Sequence, residues 1–233
     1  MNIIDVDDQS TCLQWKSQGN GEECGLLLDP PSESIPKEEL STASLDMLAV
    51  AFTVVKIHYI CGRFSALPAL FRVIEPSRTA SAQPLHGTSI RNEAAYYCCI
   101  AHVLAERNAS AEAIANPYSD QIADVTADPM FVLGDSHVLP LAWARLQGSG
   151  RQLVPKLVTG VKHWHLRPES RFYPKFNFLQ ALKTIPDSSD VIFTIGEIDC
   201  REGILVAVEK CIYDSVEQVV QFMTLIYTHI GNS

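Results

Sequence analysis

The chain has 233 residues, 47% of them apolar and 19% charged, with a formal net charge of −9. That length and apolar content are enough for a sizeable core and exclude wholesale disorder. The acidic balance gives no electrostatic basis for binding nucleic acid or an anionic membrane surface, so neither is expected as a partner.

Residues 1–40 are rich in Asp, Glu, Ser, Gly and Pro, with Pro30, Pro31 and Pro36 as breakers, and read as a poorly ordered lead-in. The N-terminus, MNIIDVDDQSTC, lacks the basic and apolar regions of a signal peptide. A helical region is expected over 41–110. It starts with "STASLDMLAVAFTVVKIHYICGRF", which offers a Ser or Thr cap, apolar residues nearly all round and Gly62 as a stop. Its uncharged run, Met47 to Val55, is too short to span a bilayer. "SALPALFRVIEPS" predicts a shorter helix ended before Pro76, and 76–88 a loop. Residues 89–108 predict a third helix, with Ala94, Tyr97, Cys98, Ala101 and Leu104 on one face.

Beyond the acidic stretch 118–128 the texture changes. "MFVLGDS" (130–136), "LVPKLVTG" (153–160) and "DVIFTIGE" (190–197) are short apolar runs ending in glycine-containing turns, separated by helix-compatible "HVLPLAWARLQ" and "NFLQALKTI". A long amphipathic stretch, 204–227, follows. Continuous apolar strands alternating with helices predict an α/β fold over 129–233: a short parallel sheet, flavodoxin-like in strand order 2-1-3, preceded by the α-helical region. In such sheets chemistry sits at the carboxyl ends of the strands, where Ser136, Gly160 and Glu197 to Asp199 fall.

Ser136 follows a strand and precedes a helix, where backbone N–H groups stand ready for an oxyanion. The competing reading is that Asp135 or Ser136 only caps the following helix. "GVKHWHLRPES" places His163 and His165 on the same rim, on one side of an extended segment with Trp164 opposite. Two ligands at H-x-H spacing do not make a metal site, so no metal and no cofactor are expected. The seven cysteines, scattered without C-x-x-C spacing, read as reduced thiols. A cytoplasmic protein is expected on that ground and for want of a targeting signal.

"FVLGDSH" resembles the first sequence block of the SGNH/GDSL hydrolases, whose Gly-Asp-Ser turn carries the nucleophile. "FTIGEIDCREGI" (193–204) is similar to the third block, Gly-x-Asn-Asp, and Gly160 stands where the second block has its glycine. The resemblance covers about residues 130–230. It implies Ser136 as nucleophile and oxyanion donor beside Asp135, Gly160 as a second donor, and Gly196 and Asp199 as the glycine and acid of the third block. Ile198 replaces the oxyanion asparagine. Glu197 and Arg201 either face the site in its place or pair at the surface. No D-x-x-H follows, since His229 has Ile226 three positions before it. An SGNH-type domain cut off after its third strand and helix is therefore expected, with His165 and His163 on its rim either as base or as polar loop residues that bind substrate or satisfy backbone groups. His137 is set aside because neighbours on a turn rarely meet side chain to side chain.

The resemblance implies a serine esterase or acyl hydrolase acting on an ester or glycan-type small molecule. The alternatives are a non-catalytic SGNH-like module that binds a protein partner and an acyl or sugar O-transferase. A three-stranded parallel sheet also leaves one edge unpaired, which predicts exposed apolar surface or a homodimer.

Overall fold

The structure is a computed structural model that describes residues 36–109, 123 and 127–231, so most of the expected lead-in lies outside the described residues. The chain divides into two units, Met1–Asp124 and Val125–Ser233.

The first unit is helical. Helix α1 (Thr42–Ile60) begins as expected: Ser41 caps it by accepting the Ser44 N–H at 3.1 Å. Gly62, at φ +69°, adopts the left-handed backbone that closes such a helix. Leu45, Leu48, Phe52, Val55 and Tyr59 are buried, while Met47, Val50 and Ile57 are exposed, so the helix is not enclosed all round. Among the described residues α1 is the one helix long and apolar enough, by length and composition, to cross a membrane. The short run Met47 to Val55 thus belongs to a longer apolar element, although a core helix passes the same test.

Helix α2 (Leu67–Ala80) does not stop before Pro76 but runs through it. The carboxyl group of Glu75 holds the turn there. It takes a bidentate bond from Arg78, with contacts of 3.0 and 2.8 Å, and a 2.5 Å bond from Tyr97 of helix α3 (Arg91–Ala109). Thr79 Oγ1 also donates to the Glu75 carbonyl at 2.7 Å. Ala94, Tyr97, Ala101 and Leu104 of α3 are buried as the periodicity predicts; Ile100 is buried as well, while Cys98 is only half-buried.

The second unit is α/β, a parallel sheet of three strands in the order β2-β1-β3. The strands are β1 (Pro129–Gly134), β2 (Gln152–Leu157) and β3 (Val191–Thr194). Leu133 pairs with Lys156 on one side and Phe193 on the other, so β1 is central. Alternation along β1 makes two cores. Leu133 packs with Val158, Val161, Leu166, Phe178 and Ile226 under helices α5 (Tyr173–Lys183) and α7 (Val216–Gly231). Val132 packs with Val138 and Leu153 on the opposite face, under the single turn α4 (Val138–Leu141). Crossovers on opposite faces are what right-handed connections require when the second strand lies to one side of the first and the third to the other.

Two segments depart from the sequence pattern. "HVLPLAWARLQ" is helical only through Leu141. Trp143 takes φ +64°, and 143–146 then runs antiparallel along β2, with Trp143 donating to the Leu153 carbonyl at 2.7 Å and Leu153 to Ala144 at 2.9 Å. This covers one end of the β2 edge, where Pro155 also lacks an N–H to offer. The stretch 204–227 is not one helix. A π-helical turn (Asp199–Gly203) leads into α6 (Ile204–Glu209), Cys211 at φ +52° breaks the chain, and α7 follows. The outer edge of β3 has no strand beside it among the described residues, and Phe193 is exposed there.

Candidate functional site at the carboxyl edge of the sheet

Gly134 ends β1 against β3 so closely that a Cβ there would overlap the Thr194 carbonyl oxygen and hydroxyl. Only glycine permits this approach. The turn is then fixed from both sides, the Asp135 N–H donating to the Thr194 carbonyl at 3.1 Å and Val158 N–H to the Gly134 carbonyl at 2.7 Å.

Asp135, 2% exposed, turns its carboxylate back over the bend. Oδ1 accepts the His137 N–H at 2.9 Å and meets His137 Nδ1 at 2.7 Å. Neither residue caps α4, whose first turn has no side-chain cap; Asp135 instead closes an Asx-type turn just before it, and the Ser136 hydroxyl takes no part in that turn. Ser136 is half-buried, and among the described residues its Oγ makes no hydrogen bond. Its backbone N–H and that of Gly160 likewise donate to no group among the described residues.

Gly160 lies past the end of β2 at φ +75°, in open space. The segment after it is not extended. His163–Leu166 form a 3-10 turn, so His163 and His165 do not share one side as alternation predicts. His163 is fully buried, and burial lowers its pKa against the opposing pull of Asp199. His165 Nδ1 accepts the Lys162 N–H at 3.1 Å, which fixes the ring on its own turn, and the ring packs on Phe172 at 4.8 Å between centroids. Burial also leads the lowering of its pKa. Neither ring is hydrogen-bonded to Ser136 among the described residues.

Asp199, 4% exposed, is likewise engaged by this turn. Oδ2 accepts the His163 N–H at 2.7 Å and Oδ1 the Trp164 N–H at 3.1 Å, tying the segment after β3 to the segment after β2. Gly196 is buried at φ +106°, and its carbonyl accepts from Cys200 at 2.8 Å. Glu197 and Arg201 are an ion pair at 3.4 Å, and Glu197 stands 4.0 Å from His137 Nε2. Of the alternatives for this pair, Glu197 is turned toward the turn that carries Ser136 and His137.

The carboxyl edge thus carries a chain of contacts, Asp135 to His137 to Glu197 to Arg201, with Ser136 inside its first link. His137 is the residue set aside on sequence grounds, because neighbours on a turn rarely meet side chain to side chain. The usable signal was Asp-x-His, in which an acid two residues before a histidine on a bend reaches its backbone and ring together. Hydrogen bonding to Asp135 raises the His137 pKa above the ordinary 6.5, burial and Arg201 opposing and Glu197 assisting.

Among the described residues no three His, Cys, Asp or Glu side chains cluster to hold a metal ion. The side chain of His229 is outside the described residues. No family model matches the chain, and comparison with curated proteins and with solved structures returns no match.

Proposed function

We propose that the α/β unit is an SGNH/GDSL-type hydrolase domain, acting on an ester or other acyl group with Ser136 as nucleophile. One observation carries this reading. Asp135 closes the bend through the His137 N–H and no side chain caps the following turn of helix, which leaves at the end of the central strand a serine whose hydroxyl makes no hydrogen bond among the described residues. The N–H groups of Ser136 and of Gly160, on the adjacent strand end, are the candidate oxyanion donors.

A serine-directed fluorophosphonate applied to the purified chain and to Ser136→Ala, alongside p-nitrophenyl acetate hydrolysis, tests it. Labelling and turnover lost in the variant support the reading; the absence of any Ser136-dependent signal ends it. A second reading, a non-catalytic binding module on the same scaffold, draws on the commitment of His163, His165 and Asp199 to one turn and on the open β3 edge. It predicts no turnover.

A further inference from the structure

We propose that His137 is the proton-transfer residue of the Ser136 site and Asp135 its positioning residue. This inference rests on the hydrolase reading above and supplies the base for which the resemblance offers no D-x-x-H block.

The geometry is that of an oriented imidazole. Asp135 is buried, its backbone N–H is bonded to Thr194 at the end of β3, and its Oδ1 meets Nδ1 at 2.7 Å. With Nδ1 engaged, Nε2 is the nitrogen left for chemistry. The His137 side chain is 50% exposed with Nε2 standing 4.0 Å from Glu197, whereas the His163 ring is fully buried and the half-buried His165 ring is bonded to its own turn. The charged groups facing it are Asp135 from its own turn and Glu197 and Arg201 from the segment after β3.

In acylation the Ser136 Oγ forms a bond to the ester carbon. Its proton passes to Nε2, directly or through one water, and from there to the alkoxide as the ester C–O bond breaks. In deacylation water adds to the acyl carbon and gives its proton to Nε2. That proton returns to Ser136 Oγ as the acyl–serine bond breaks and the carboxylic acid leaves. The sum is ester plus water to acid plus alcohol. Because the base form is the neutral ring, turnover should rise with pH through an inflection above the ordinary imidazole value of 6.5.

The test uses the full chain and p-nitrophenyl acetate. His137→Ala should lower turnover by roughly 10²-fold or more, and added imidazole should restore part of it, while Ser136→Ala gains nothing from imidazole. Asp135→Asn should move both the rate inflection and the NMR titration of the His137 ring to lower pH. If Ser136→Ala abolishes turnover while His137→Ala keeps it, the hydrolase reading survives and this inference fails. It also fails if imidazole restores nothing and Asp135→Asn leaves the inflection in place, since His137 is then only part of the bend. If no turnover depends on Ser136, both fall together.

Discussion

Asp199→Ala separates a clamp from a reacting group. The wild-type carboxylate accepts two backbone N–H groups, at 2.7 Å from His163, which is fully buried, and at 3.1 Å from Trp164, which is half-buried. A hydrogen bond to a charged acceptor contributes about 1.5–3 kcal/mol, and a buried donor left unpaired costs about 1–3 kcal/mol. Counting the His163 contact in full and the Trp164 contact at about half gives a loss of about 2–4.5 kcal/mol. That is a large fraction of the ~5–15 kcal/mol that keeps a domain folded. Urea unfolding near neutral pH, followed by tryptophan fluorescence, reads the α/β unit through Trp143 and Trp164. With a slope of about 2 kcal/mol per molar, the midpoint should fall by roughly 1–2 M at unchanged slope. Asp199→Asn should lose about half as much, because it keeps one acceptor oxygen and sets an amide donor against the other N–H. A midpoint within about 0.3 M of wild type for Asp199→Ala would refute the clamp and return Asp199 to the chemistry.

Gly134→Ala should destabilise the same unit by about 2–3 kcal/mol or more, because its Cβ meets β3 backbone that cannot rotate away; a near-neutral thermal shift would show that the strands part freely. Burial depresses the pKa values of His163 and His165 in the folded state, so below their ordinary 6.5 the unfolded chain binds protons that the folded chain does not. These two rings should therefore cost stability as pH falls from about 7 to about 5.5, and His163→Gln should lessen the fall in urea midpoint over that range. The Asp135–His137 pair acts in the opposite sense, because its raised pKa gives stability that is fully present below 6.5 and lost as pH rises through the folded value.

The class of the fold was legible from local chemistry. A central strand buried on both faces must be apolar throughout, which is why 130–133 stands out, and Ser41 and Gly62 bound the first helix through backbone needs that no distant contact alters. The strand order 2-1-3 came with the flavodoxin-like expectation and not from local chemistry; given that order, right-handed crossovers put the two connections on opposite faces. What the sequence left open depends on partners far along the chain. Pro76 sits inside a helix because Tyr97 and Arg78 secure Glu75 beside it, and the stretch 204–227 is interrupted where Cys211 takes a left-handed backbone that apolar periodicity does not report.

The site divides in the same way. Gly134, Asp135 and Ser136 were located by their position at a strand end. The partners of the acids and histidines were not, since they lie across the strand ends: Asp199 reaches back 36 residues to the His163 N–H. Sequence alone determined that a serine would stand at the end of the central strand. Tertiary packing decided that His163, His165 and Asp199 would serve one turn and that His137 would be the imidazole left facing outward, because buried N–H groups must find acceptors before a side chain is free for anything else.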